Sequence, residues 1–279
     1  MLAEEVALVK LWLVALGALG MIALAGLAMT SFAAGGPSDR ARIDPAKIVD
    51  LTYTFDAQTI YWPTEPPLTH QYEHYGMTPG GYFYSSAKFA APEHGGTHMD
   101  APLHFNQSGL TVDQVPLTAM IGPAAVIDFS ARAAHNPDAT LSLDDVTKWE
   151  TAHGRLPAGA IVVARSGWGR WWPHKKRYLG TDKPGDVLHL RFPGFSAEAV
   201  KFLLEHRDVA AIAVDTPSMD PGVSQDFPVH RLWLGANKPG FENVANAGKL
   251  PETGATIFCI PMKMGRGTGA PTRIFALLP

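Results

Sequence analysis

The sequence predicts an α/β fold: one domain with a mixed, strongly twisted sheet and few helices. Three observations predict it. Short apolar or alternating runs of strand type are many, and clear helical periodicity occurs only twice. Those two helices fall between strands. Once an N-terminal apolar segment is set aside, about 245 residues remain, the size of one domain. With 279 residues and 46% apolar content, the chain can bury a full core.

The elements follow in order. Leu11 to Leu27 is apolar with only glycine as interruption, a length between a signal core and a membrane span. Glu4 and Glu5 precede Lys10, so the head is not clearly basic, but Ser31 and Ala33 match the small-x-small cleavage pattern. Residues 1–34 are therefore expected to be a signal peptide or membrane anchor, and 35–47 a linker. The catalytic part is expected to be exported: periplasmic or secreted after cleavage, or tethered by the uncleaved segment.

From Ile48 a short strand runs to Tyr53. Tyr61-Trp62-Pro63 and Pro66-Pro67 make a stiff aromatic loop. Tyr82 to Phe89 alternates as a strand. Ala124–Phe129 and Ala160–Ala164 read as strands, with a helix over Leu143–His153 between them, capped by Ser142. Gly167 to Gly185, with Trp168, Trp171, Trp172 and Tyr178, looks too broken for a helix or strand and reads as a long excursion. A second helix, Ser196 to His206, precedes a strand at Val209–Val214 that ends in Asp215-Thr216-Pro217-Ser218. Ala255–Pro261 and Arg273–Leu278 close the sheet.

Net charge is −3 and no basic block tracks phosphates, which argues against nucleic acid as a partner. The lone Cys259 rules out an internal disulfide and, inside an apolar run, reads as a buried strand residue.

The chemistry concentrates in His94-Gly95-Gly96-Thr97-His98-Met99-Asp100-Ala101-Pro102-Leu103-His104. Three imidazoles and a carboxylate in eleven residues suit zinc, manganese or iron(II). The glycines leave the backbone free to aim two imidazoles at one point. Asp100 has two oxygens and could bridge two ions. The bland alternative is a polar loop of solvated histidines. Far downstream, His230 and Glu242 mean little by spacing alone.

This pattern resembles the cyclase family of metal-dependent hydrolases, which includes kynurenine formamidases and isatin hydrolases. The family motif H-x-G-T-H-x-D-x-P-x-H is met by His94, Gly96, Thr97, His98, Asp100, Pro102 and His104. The likeness continues through Val214–Ser218, His230-Arg231-Leu232 and Gly240–Asn246, and so covers residues 48–279. The resemblance implies the family's β/β/α arrangement and a homodimer or higher homo-oligomer. It implies that His94, His98 and Asp100 bind a first metal, that Asp100, His230 and Glu242 complete a second site, and that His104 is the acid/base. Glu242 resembles the dizinc formamidase type, whereas the long excursion resembles the isatin-hydrolase type, whose single metal is manganese. Zinc, as one or two ions, is therefore favoured, with manganese as the alternative. The substrate stays open between an N-formylkynurenine-type formamide and an isatin-type cyclic amide.

The expected reaction is opening of an amide bond in a small aromatic molecule by metal-activated water. Tyr61, Trp62, Phe89, Trp168 and Trp172 are the candidate aromatic walls, each with core packing as its plain alternative. Asp215 is either a support for a histidine or a turn former. Competing readings are a lactone or cyclic-ester hydrolase, a dehydratase or true cyclase, and a periplasmic metal- or ligand-binding protein without turnover. Beyond the N-terminal segment, no membrane contact is expected.

Overall fold

The computed structural model describes residues 43–279; the expected signal or anchor segment and most of the linker lie outside the described residues. The strands are β1 (Ile48–Asp50), β2 (Thr69–Met77), β3 (Phe83–Ala90), β4 (His98–Asp100), β5 (Ile121–Asp128), β6 (Thr140–Leu141), β7 (Ala160–Arg165), β8 (Gly194–Phe195), β9 (Val209–Val214), β10 (Gly240–Glu242), β11 (Thr256–Pro261) and β12 (Gly269–Leu277). The helices are α1 (Ser130–Ala133), α2 (Leu143–His153), α3 (Lys175–Leu179), α4 (Ala197–His206) and α5 (Pro228–Trp233).

Eight strands form one mixed sheet in the order β1-β12-β11-β5-β7-β9-β10-β4. β5, β7, β9 and β10 run parallel, and the others pair antiparallel. β4 also pairs with β12, which turns the sheet back on itself as a barrel-like wall. The mixed α/β class is thus the predicted one, and the closure through three-residue β4 goes beyond it.

The central strands are apolar on both faces, as strands covered from both sides must be. Ala125 and Ile127 of β5 join Val162, Ala164, Val146, Trp149, Leu203 and Trp233 in a layer under α2, α4 and α5. Ala124 and Val126 point the other way, to Ile161, Val163, Ala213, Met99 and Phe241. Each valine, leucine, isoleucine, phenylalanine or methionine among them contributes about 1.5–3 kcal/mol when fully buried. Helix α2 begins as predicted, with Ser142 and Asp145 forming a capping box, and Ser196 caps α4 by accepting from Ala199 N–H. Cys259 is buried on β11, as expected.

Two departures have physical causes. β2 was not evident in the sequence because it buries neither face: it pairs only with β3, and every residue of it is exposed except the half-buried Gly76. A strand with no buried face carries no alternation. The segment after Gly167 is not structureless. It contains a 3-10 turn at Trp168–Trp171 and helix α3, and Trp168, Tyr178 and Leu179 pack with Ile60, Leu190 and Phe192 into a third small core.

Candidate metal centre

Strand alternation builds the centre. On β4, Met99 enters the apolar interior, so His98 and Asp100 must point to the opposite face. On β10, Phe241 enters the same interior, and Glu242 stands directly across from His98. Gly240 lies across from Asp100. Antiparallel register therefore gathers an imidazole and two carboxylates on one face, far apart as they are in the chain.

The other ligands arrive from loops. Gly95 and Gly96 have φ of +151° and +57°, conformations that side-chain-bearing residues rarely adopt. A Cβ on Gly95 would collide with the Tyr61 ring, and one on Gly96 with Phe55. The turn they make carries His94 to within 2.7 Å of Asp100, Nδ1 to Oδ1. α5 brings His230, whose Nε2 lies 3.2 Å from Asp100 Oδ2 and 3.3 Å from Glu242 Oε1. His98 Nε2 lies 3.2 Å from Asp100 Oδ1 and 3.4 Å from Glu242 Oε2. His104, on the turn Pro102–His104, stacks on His94 with ring centroids 3.9 Å apart.

Two donor triads, His94 with Asp100 and His104, and His98 with Asp100 and Glu242, each have ligand atoms within 4.8 Å of one another. Imidazole nitrogens with carboxylate oxygens are the donor set of zinc or manganese. Asp100 Oδ2 is buried with no well-aligned hydrogen bond, its nearest donor being His230 Nε2 at 3.2 Å, which is costly for a charged oxygen and is relieved by a cation. The residues present therefore fit a divalent metal.

The electrostatics point the same way. Burial alone would raise the Asp100 pKa, but His94, His230 and His98 hold it well below the usual carboxylate range. Burial and the negative charge of Asp100 push Glu242 up. Burial would lower His98 and His230, yet the carboxylates around them raise both, Asp100 foremost. Two carboxylates are thus balanced by protons on imidazoles, and a cation can replace those protons. His104 differs: it faces the pocket, and desolvation among neighbouring imidazoles lowers its pKa to about 4, against the opposing pull of Asp100. It is neutral at neutral pH, as a proton acceptor must be.

The site opens into a cavity of about 480 Å³. Its walls include Ile60, Tyr61, Trp62, Phe105, Leu179 and Phe227, with His94, His98, Asp100, His104, His230 and Glu242 at one side. All six proposed metal and acid/base residues therefore border one space. Of the five expected aromatic walls, Tyr61 and Trp62 line it and three do not. Phe89 is 58% exposed on β3. Trp168 is buried and donates its indole N–H to Tyr178 O. Trp172 stacks on Tyr53 at 4.0 Å. Trp168 and Trp172 are drawn into packing because the excursion folds onto its own small core, and Phe89 lies on the surface of the β2–β3 ribbon. Asp215 supports no histidine: its oxygens accept from Ser166 N–H and O–H and from Gly167 N–H, tying the start of the excursion to the end of β9.

Several site residues escaped the sequence reading. Asp220 accepts from His230 Nδ1 at 2.6 Å and from the backbone N–H groups of Val229 and His230. Glu93 and Thr268 lie behind His94. Phe105 and Phe227 flank His230, with centroids 4.8 and 5.8 Å away. Phe105 had a signal, adjacency to His104; Thr268 had none.

The family model described as putative cyclase matches residues 49–221. Isatin hydrolase of Roseibium aggregatum is 34% identical over 207 residues, covering 71% of this chain and 77% of that protein. Kynurenine formamidase of Salinibacter ruber is 27% identical over 185 residues, covering 64% and 74%. A crystal structure of an isatin hydrolase bound to the product analogue thioisatinate superposes with a TM-score of 0.76 at 29% identity, covering 84% of this chain and 92% of that one. With the family model spanning more than half of its length and a relative above 30% identity, this chain belongs to the cyclase family.

Proposed function

We propose that the chain is a metal-dependent hydrolase that opens the C–N bond of a small, flat aromatic amide, with a cyclic amide of the isatin type favoured over N-formylkynurenine. The observation that carries the hydrolase reading is the convergence of Asp100, Glu242 and three imidazoles beside a neutral fourth imidazole, His104, at the wall of an apolar cavity. A cavity of this size suits a ligand of that kind. Among the described residues no lysine or arginine lines it. N-formylkynurenine carries a free carboxylate that such a lining would leave unpaired, whereas isatin carries none.

His94, His98 and Asp100 would hold a first cation, and Asp100, His230 and Glu242 a second. Zinc is the favoured ion on the resemblance of Glu242 to the dizinc formamidase type; manganese, which carboxylate oxygens also suit, is the alternative. A bound divalent cation supplies Lewis acidity, making water acidic enough to lose a proton near neutral pH and stabilising charge on the carbonyl oxygen. His104 accepts the proton of the attacking water and returns it to the leaving nitrogen. Ile60, Trp62, Leu179 and Phe227 hold the ring and exclude water from it. The poised base His104 favours turnover over a storage or ligand-binding protein. A lactone would fit the same walls and is separated by substrate trials.

We propose as well that the chain is exported by its N-terminal apolar segment and acts as a homodimer. Support for the dimer is the β2–β3 ribbon, where Tyr72, Tyr75, Met77, Phe83 and Phe89 are each more than half exposed. Five large apolar side chains left exposed on one ribbon mark an interaction surface. An isolated two-stranded ribbon is marginal in water. The deciding experiment assays purified protein with isatin and N-formylkynurenine, adding zinc and manganese separately. Hydrolysis of isatin with a bound metal is expected; metal binding without hydrolysis of either amide would overturn the hydrolase reading.

A further inference from the structure

Glu93 Oε2 lies 2.6 Å from Thr268 Oγ1, 2.8 Å from Thr268 N and 3.2 Å from Gly269 N. A carboxylate can only accept, so the single hydroxyl proton of Thr268 goes to Glu93. Thr268 Oγ1 then has only lone pairs for its other neighbour, His94 Nε2, at 3.0 Å. That nitrogen must therefore carry a proton. The His94 nitrogen facing Asp100 is Nδ1, at 2.7 Å, and the hydrogen it points at that carboxylate is the one a cation would replace.

The other two imidazoles are held the opposite way round. His98 Nδ1 lies 2.9 Å from Gly96 O, a pure acceptor. His230 Nδ1 lies 2.6 Å from Asp220 Oδ2. Both therefore keep their proton on Nδ1 and present Nε2 to Asp100 and Glu242.

We infer that Glu93 and Thr268 are positioning residues that lock His94 in the Nε2–H tautomer, so that His94 gives a metal its Nδ1 while His98 and His230 give theirs through Nε2. The relay Glu93, Thr268, His94 also fixes the ring's rotation. Gly269, whose Cβ would lie 2.6 Å from His94 Cε1, leaves space for the ring to sit against the β12 backbone. Hydrogen-bonded partners of this sort typically change metal affinity by about 10- to 100-fold.

The inference rests on the reading of His94 as a ligand, and the test separates the two. Zinc titration of the unaltered chain against a competing chelator tests the ligand reading. Long-range ¹⁵N–¹H correlation spectra of the zinc-loaded, histidine-labelled chain test the tautomers directly and need no variant. The expected spectrum shows zinc on Nδ1 of His94 and on Nε2 of His98. Thr268→Val keeps the backbone N–H bonds to Glu93 and removes only the hydroxyl. It should weaken zinc binding about 10- to 100-fold and lose the single His94 tautomer, while Thr268→Ser should restore both. Zinc on Nε2 of His94 in the unaltered chain, or wild-type zinc affinity and an unchanged His94 tautomer in Thr268→Val, would overturn the inference.

Discussion

His70 and His74 lie on the β2–β3 ribbon, and His94 and His98 lie just beyond its end, yet the two pairs have opposite fates. The first pair is exposed, resting against Tyr72 and Tyr84 at ring distances of 5.2 and 5.3 Å. The second pair is held by Thr268, Gly96 O and Asp100. The ribbon pairs only with itself. The cluster is tied to β10, β12 and α5. Residue type is the same in both places. What differs is whether distant chain surrounds it, and a metal centre needs the surrounded kind.

The largest test of that contrast is Asp100→Ala. Three imidazoles contact this carboxylate, so metal content by mass spectrometry should fall to near zero and turnover with it. The matching change on the ribbon, His74→Ala, should leave metal content unchanged; a loss there would break the comparison. Next is His104→Ala, which should keep the metal and lower kcat about 10²- to 10⁴-fold. Full kcat would remove His104 from its role.

The ribbon has its own expected effect. Tyr75→Ser with Phe83→Ser should shift the protein toward monomer in sedimentation while metal content stays at wild type. An unchanged mass would show that the ribbon is not the dimer contact. The pH profile gives a smaller effect. Burial and the neighbouring imidazoles lower the His104 pKa to about 4. Its base form therefore persists as pH falls from 8 to about 5, and any acid limb due to His104 lies below that. A kcat limb near the ordinary histidine value, moved by substitution of His104, would contradict its desolvated setting. Smallest of all, Trp172→Ala should leave KM nearly unchanged because Trp172 stacks on Tyr53 away from the cavity, while Trp62→Ala should raise KM.

Part of the fold was legible for a definite reason. β5, β7, β9 and β11 are apolar runs that must be buried, and α2 and α4 carry their own caps. β2 was illegible because it buries nothing, and β4 and β10 because three residues are too few to show a period. In the site, His94, His98, Asp100 and His104 stood out because they are neighbours in the chain. His230 and Glu242 became visible only through resemblance. Phe89, Trp168 and Trp172 do not line the cavity, because aromatic content does not distinguish a pocket wall from a small core or an exposed ribbon.

The sequence by itself determined the donor inventory: which residue types are present, that two glycines allow the turn between His94 and His98, and that the strands are apolar enough to form a covered sheet. Only the tertiary structure decided how those donors are used. Antiparallel register set Glu242 opposite His98, a helix delivered His230, and Thr268 at the edge of β12 came within 3.0 Å of His94 Nε2. The reason is physical: ligand geometry and tautomer depend on what lies within about 3 Å in space, and at this centre those neighbours come from parts of the chain remote in sequence.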